Sequence, residues 1–292
     1  MRIDGKPARV VSASWLSAEG DPMGPAVLPG DAGGNGRSAA RARSGAQSQR
    51  GRTVVFFVQK DLHPTRAPGL LQLLDQAGRL ATRLGPSDRA AVVCFDAHLK
   101  LWQDFTSDTA RVRRALTHDL LFEEEPARGT PDGASSLTAR LDPRALRRAG
   151  SPETALLLVG DALRAVAGSK TLVFLGHGLG ELRGPTLSQH ADYGPARRAL
   201  LEAGVTVFTL DVTDADHHTL EAGLRQMAED TGGFYAPTHL FTGQAVSRLE
   251  EVLQGHYVLE VVPPGGRRGR HDLRVDLVSR RGEVLARAVY FD

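Results

Sequence analysis

The sequence predicts a doubly wound α/β fold, a mainly parallel sheet with helices on both faces, extended by a small antiparallel β appendage. Three observations carry this expectation. Short, almost wholly apolar runs at 54–58, 89–95, 171–175 and 205–210 alternate with longer segments whose apolar residues recur at three and four. Strands so apolar suit a sheet covered on both faces, and parallel neighbours need helical crossovers between them. The carboxyl-terminal part reads differently, as three strand-like runs, Tyr257–Val262, Leu273–Val278 and Val284–Tyr290, broken by PPGGRRGR and SRRG.

In chain order, Asp4-Gly5-Lys6-Pro7 reads as a turn, and Val10 to Leu16 as a strand with no partner nearby in sequence. Residues 18–51 are mostly Gly, Ala, Ser, Arg and Pro. That composition cannot offset the entropy of ordering, so a flexible linker is expected, with the arginines at 37, 41, 43, 50 and 52 solvated along it. The α/β domain is expected to span 52–254, preceded by a remnant strand at 1–17 and followed by a β-strand tail at 255–292.

Within the domain, strand Val54–Val58 is followed by a helical stripe of Leu70, Leu71, Leu73, Leu74, Ala77, Leu80, Ala81 and Leu84, which Gly85-Pro86 ends. Arg89–Phe95 and the alternating Leu99–Phe105 pair as a hairpin across the polar turn at 96–98. Thr106-Ser107-Asp108 starts a helix carrying Val112, Leu116 and Leu120. Residues 122–150 form a long loop, and Pro152 and Glu153 open a helix through Leu156, Leu163 and Val166 that Gly168 closes. Strand 171–175, a helix through Ala199 and Leu200, strand 205–210, a helix through Leu220, Leu224 and Met227, a short strand at Phe234 and Tyr235, and a helix from Gln244 to Leu253 complete the series.

Composition narrows the function. The chain has 292 residues, enough for one large α/β domain plus a small module. With 36 Lys and Arg against 34 Asp and Glu, it lacks the strong positive field that nucleic-acid binding uses. Cys94 stands alone, which excludes an internal disulfide and a cysteine zinc cluster, and its apolar strand makes it a small buried hydrophobe. No apolar run is long enough for a membrane helix, and MRIDGKPARV has no signal-peptide core.

The succession VVFFVQKDLHPT, LGPSDRAAVVCFD, LKLWQDFTSD, SKTLVFLGHG, GVTVFTLDV and MAEDTGGFYA resembles a von Willebrand factor type A domain. IDGKPARVVSAS before it and HYVLEVVPP and ARAVYF after it are similar to the flanks of the bacterial von Willebrand factor A-related family. In that family the DGKP segment lies well inside an exported chain, so the resemblance implies that residues 8–16 are what an upstream β module left behind. It also implies a non-enzymatic, protein-binding module and a metal-ion-dependent adhesion site, in which Mg²⁺ or Mn²⁺ keeps a vacancy for an acidic residue of a partner protein.

By the same resemblance, Asp61, His63 and Thr65 stand at the D-x-S-x-S positions, with His63 in place of the central Ser. Thr154 matches the loop threonine, and His177 in Gly176-His177-Gly178 stands where the fourth-strand Asp is expected. The missing carboxylate and two imidazoles suit Mg²⁺ poorly, so the expected site is degenerate, and its loops serve as a docking surface. Trp102 and Tyr193 are candidate exposed anchors for the partner, with an ordinary packing role the other reading of each.

Other readings of these residues exist. In one, Asp61 bonds backbone donors at the strand end and Thr154 caps a helix. Asp61, His63 and His177 are also three ligands of a type Zn²⁺ accepts, though without the close spacing of a zinc motif. LVFLGHGLGEL resembles the oxyanion loop of α/β-hydrolases, which makes a metal-dependent hydrolase the alternative function, but no G-x-S-x-G elbow follows. In DVTDADHH, residues Asp211, Asp214, Asp216, His217 and His218 read as a polar loop with Asp216 capping the next helix. GHGLGE is not a phosphate loop.

Overall fold

The structure is a computed structural model and describes residues 1–17, 51–123, 125–126, 136–183, 186–214, 218–238, 241–263, 268–278 and 281–291. The linker expected at 18–51 lies outside the described residues except for Gly51, as does Asp216.

At the amino terminus, β1 (Arg2–Ile3) and β2 (Lys6–Pro7) form a tight hairpin, followed by β3 (Arg9–Ser17). Asp4 and Gly5 both take positive φ, 50° and 75°, the backbone that a two-residue hairpin requires. The main sheet contains β4 (Thr53–Gln59), β5 (Arg89–Phe95), β6 (Leu99–Thr106) and β7 (Lys170–Gly176). After a small hairpin of β8 (Glu181–Arg183) and β9 (Thr186–Ser188), the sheet continues with β10 (Val205–Asp211) and β11 (Tyr235–Pro237). Its order is β11-β10-β7-β4-β5-β6, parallel throughout except for the antiparallel edge β6. The hairpin of β5 and β6 is therefore as expected.

Among the described residues, eight α-helical segments connect these strands. They are α1 (Ala67–Thr82), α2 (Thr109–Arg114), α3 (Leu120–Phe122), α4 (Pro143–Arg148), α5 (Pro152–Arg164), α6 (Tyr193–Glu202), α7 (Glu221–Thr231) and α8 (Thr242–Leu253). A π-helical turn, Ala115–Asp119, joins α2 to α3. Asp108 caps α2 with its carboxylate, accepting from the amides of Ala110 and Arg111. Part of the expected loop at 122–150 is helical, because Asp142 caps α4 and Pro143 fits its first turn.

The two-residue period of β4 divides the core. Val54, Phe56 and Val58 pack with α1, α2 and α8, whereas Val55 and Phe57 pack with α5, α6 and α7. Phe57 stacks on Phe174 of β7 at 5.0 Å. Each such side chain is fully buried and contributes about 1.5–3 kcal/mol by leaving water. Cys94 is a buried free thiol in this core, as expected.

The tail comprises β12 (Gly255–Val262), β13 (Arg270–Arg274) and β14 (Val289–Phe291). The strand that lacked a partner in sequence finds one here, since β3 pairs antiparallel with β12 from Ser17–Gly255 to Arg9–Val262. Likewise β1 pairs with β13, which pairs with β14, so the two ends of the chain build the antiparallel sheets together. The expected runs 273–278 and 284–290 are only partly strand. Leu285 packs against the core and the backbone of Ala286 and Arg287 lies against Gly232, so this stretch covers the domain instead of pairing.

Trp102 and Tyr193 are not exposed anchors. Trp102 is buried in one core layer, and Tyr193 is buried in the other with its hydroxyl donating to Asp230. Alternation along β6 and the first turn of α6 turn these rings inward. No helix among the described residues is long and apolar enough to cross a membrane.

Candidate functional site

From β4 the chain runs outward through β5 and β6, then returns to β7 on the other side of β4. In an open α/β sheet, the crevice beyond the carboxyl ends at such a reversal is where ligands bind. Asp61 follows β4 and His177 follows β7, so both stand at this crevice, with their side chains 3.9 Å apart between Oδ2 and Nε2.

The loop after β4 is held by its own side chains. The His63 amide donates to Asp61 Oδ1 at 2.8 Å, and His63 Nδ1 lies 2.9 Å from Thr65 Oγ1. Arg66 Nη1 donates to Asp61 Oδ2 in a short ion pair. Partial burial pushes the Asp61 carboxyl up, but the His63 amide and the Arg66 guanidinium outweigh it, so its pKa lies below the usual carboxylate range. Leu62, His63, Pro64 and Thr65 are all exposed along the rim.

The loop after β7 is fastened from β4. Gln59 Oε1 accepts from the amides of His177 and Gly178 at 2.9 and 3.1 Å. Burial lowers the His177 pKa to about 4, helped by the Arg66 charge and opposed by Asp61 and Asp211, so the imidazole is neutral at pH 7. Its Nδ1 is buried and without a partner among the described residues. Glu153 in the first turn of α5 accepts from Gly180 N at 2.5 Å, which closes the far side of this loop.

A third element joins from β10, whose last residue, Asp211, is deeply buried. Its carboxylate receives the Thr213 amide at 2.9 Å, the Tyr235 hydroxyl at 3.0 Å and His218 Nε2 at 2.6 Å. Asp211 is thus a strand-end anchor, not part of the polar loop the sequence suggested. The α7 helix begins at Glu221, and its cap position, Leu220, makes no side-chain cap bond. Asp214 N donates to Thr65 O at 3.4 Å, and a Cβ on Gly69 would sit 2.2 Å from the Val212 carbonyl oxygen. That close approach brings the loops after β4 and β10 together.

Thr154 stands apart from this cluster in its contacts. It lies inside α5, and its hydroxyl engages Asp192 at 2.6 Å and Ser151 at 2.9 Å. The helix is capped by Ser151, which accepts from Thr154 N at 3.1 Å, so the capping role expected of Thr154 belongs to Ser151. The residues that sequence reasoning missed are Gln59, Arg66 and the buried role of Asp211. Gln59 was the one polar residue ending an apolar run, and Asp211 repeats at the end of β10 the strand-end acid seen near β4. Arg66 left no comparable signal.

As placed, this donor set does not fit Mg²⁺ or Mn²⁺. Both Asp61 oxygens are engaged, one by a guanidinium, while the Thr154 hydroxyl bonds Asp192 and the β7 loop offers an imidazole where a hard cation needs oxygen. Among the described residues, one His and acid group has converging ligand atoms, His118, Asp119 and Glu123, all within 4.8 Å of one another. Arg114 already pairs with both acids there, at 3.0 and 3.9 Å. The Asp211–His218 pair has the form of an orienting acid and base, and among the described residues no hydroxyl or thiol bonds the imidazole.

The fold and the site define a doubly wound α/β domain with a polar crevice at the reversal of its strand order. Solved structures similar to this chain include BatB from Bacteroides thetaiotaomicron, at 14% identity over 69% of this chain and 96% of that chain, with a TM-score of 0.46. A von Willebrand factor type A protein from Catenulispora acidiphila is 12% identical over 70% of this chain, with a TM-score of 0.47, and the match spans 42% of that chain. The vWF domain of the type V pili tip protein Mfa5 from Porphyromonas gingivalis is 11% identical over 70% of this chain and 95% of that chain, with a TM-score of 0.43. No protein-family model matches the sequence. No curated protein matches it either.

Proposed function

We propose that this chain is a non-enzymatic protein-binding module whose partner docks on the loops at the carboxyl edge of the sheet, around Asp61, His63, Thr65, Thr154 and His177, without a complete magnesium site. The observation that carries this reading is the rim Leu62–Thr65. It is exposed over its whole length, includes an apolar side chain 53% exposed, and stands over a crevice whose polar groups are fixed by one another. Fixed polar groups beside an exposed apolar residue suit recognition of a protein surface, because little further ordering is needed on binding. The partner is another protein, with no nucleic acid required by the balanced charge.

The test is affinity capture of partners on the immobilised chain, followed by binding measurements on each captured protein. The double variant Leu62→Asp/His63→Ala is expected to weaken binding at least tenfold, and Tyr257→Ser, a control on the exposed β12 strand, to leave it unchanged. Loss in the control alone, or no difference between the two, would count against docking at this edge.

A further inference from the structure

We infer that Arg66 serves as the resident cation of this site, in the place a divalent ion would take, and that the group it receives from a docked partner is a carboxylate. This rests on the edge-loop docking proposed above. A cation bound to Asp61 Oδ2 is already supplied by the chain, and the other oxygen is occupied by the His63 amide. An added ion would have to displace a tethered guanidinium and would then meet the imidazole of His177, whose Nε2 lies 3.9 Å from Asp61 Oδ2.

The position of Arg66 is set by the backbone before any ligand arrives. Its amide donates to His63 O at 2.8 Å, and its carbonyl accepts from Leu70 N at 2.9 Å, so the residue is locked between the site loop and the first turn of α1. Only Nη1 is used by Asp61. Nε and Nη2 make no hydrogen bond among the described residues, and the side chain is 31% exposed. These free N–H groups form a planar fork that matches the two oxygens of a carboxylate, which the single ammonium of Lys cannot do. Leu62, exposed on the adjoining rim, supplies apolar contact beside it. Recognition of this kind needs no metal and therefore resists chelation.

The probe is a fluorescein-labelled hexaglutamate peptide titrated with the full chain by fluorescence polarisation, in the presence and absence of EDTA. Saturable binding that EDTA leaves unchanged and that falls at least tenfold in Arg66→Lys is the expected result, with matching urea midpoints showing that the variant is folded. Absence of saturable binding, loss of binding in EDTA, or equal affinity in Arg66→Lys would overturn the inference. A captured protein partner separates the two levels of argument. If its binding is lost in Leu62→Asp/His63→Ala but kept in Arg66→Lys, the carboxylate inference falls and edge docking stands. If it is kept in both, both fall.

Discussion

At the scale of single residues, His177 shows how position turns a side chain into a fixed neutral group. Its amide is held by Gln59, its imidazole is largely buried, and its pKa is lowered to about 4. An unfolded histidine titrates near 6.5, so between these values the unfolded chain binds the extra proton. This contribution to stability is complete above about pH 6.5 and is lost as the pH falls towards 4, by about 3 kcal/mol. Urea midpoints of the wild type and His177→Asn, measured from pH 7 to pH 4, should converge as the pH falls. Parallel curves would rule out His177 as the source. Cys94 is the apolar counterpart, since burial pushes its thiol up to about 12 and leaves it inert in the native state. A thiol reagent should label it only after unfolding, and native labelling at neutral pH would contradict its burial.

At the scale of elements, one carboxylate of the edge strand fixes the segment just before α4. Asp104 of β6 accepts from the Phe105 amide at 2.7 Å, the Leu137 amide at 2.8 Å, the Thr138 amide at 3.0 Å and the Ser136 hydroxyl at 2.5 Å. Partial burial raises its pKa, but these donors together bring it below the usual range. Removing the acceptor strands several donors at once, so Asp104→Ala should cost about 2–3 kcal/mol. Hydrogen exchange would show the loss concentrated at Leu137 and Thr138. An equal loss across the whole sheet would mean that Asp104 supports the core and not this segment. The hairpin of β5 and β6, the helix starts at Asp108 and Pro152, and the order of the main-sheet strands were legible in sequence, because each depends on near neighbours, whereas α4 and the β8–β9 hairpin were not. The capping role expected of Thr154 is filled by its neighbour. A threonine three residues after a serine suits either a cap or the helix interior, and the Ser151 hydroxyl took the cap.

At the scale of the whole molecule, the two ends of the chain depend on each other. Strand β12 has β3 as its partner, and β13 lies between β1 and β14. Two-stranded ribbons are marginal alone, so deletion of residues 1–17 should expose 255–274 to proteolysis. Limited proteolysis with mass spectrometry would detect new cleavage there. Unchanged protection of the tail would show that the domain, and not the amino-terminal strands, holds it in place.

The sequence by itself determined the doubly wound sheet, its two helical layers and the acids at its strand ends. A period of two in strands and of three to four in helices records which face each residue buries, and that information is local. Only the tertiary structure decided what those acids meet. An aspartate after an apolar strand reads the same whether its counter-charge is a metal ion or a guanidinium. The choice of Arg66 for Asp61, of His218 and Tyr235 for Asp211, and of β3 for β12 depended on side-chain geometry and on contacts between segments that folding alone brings together.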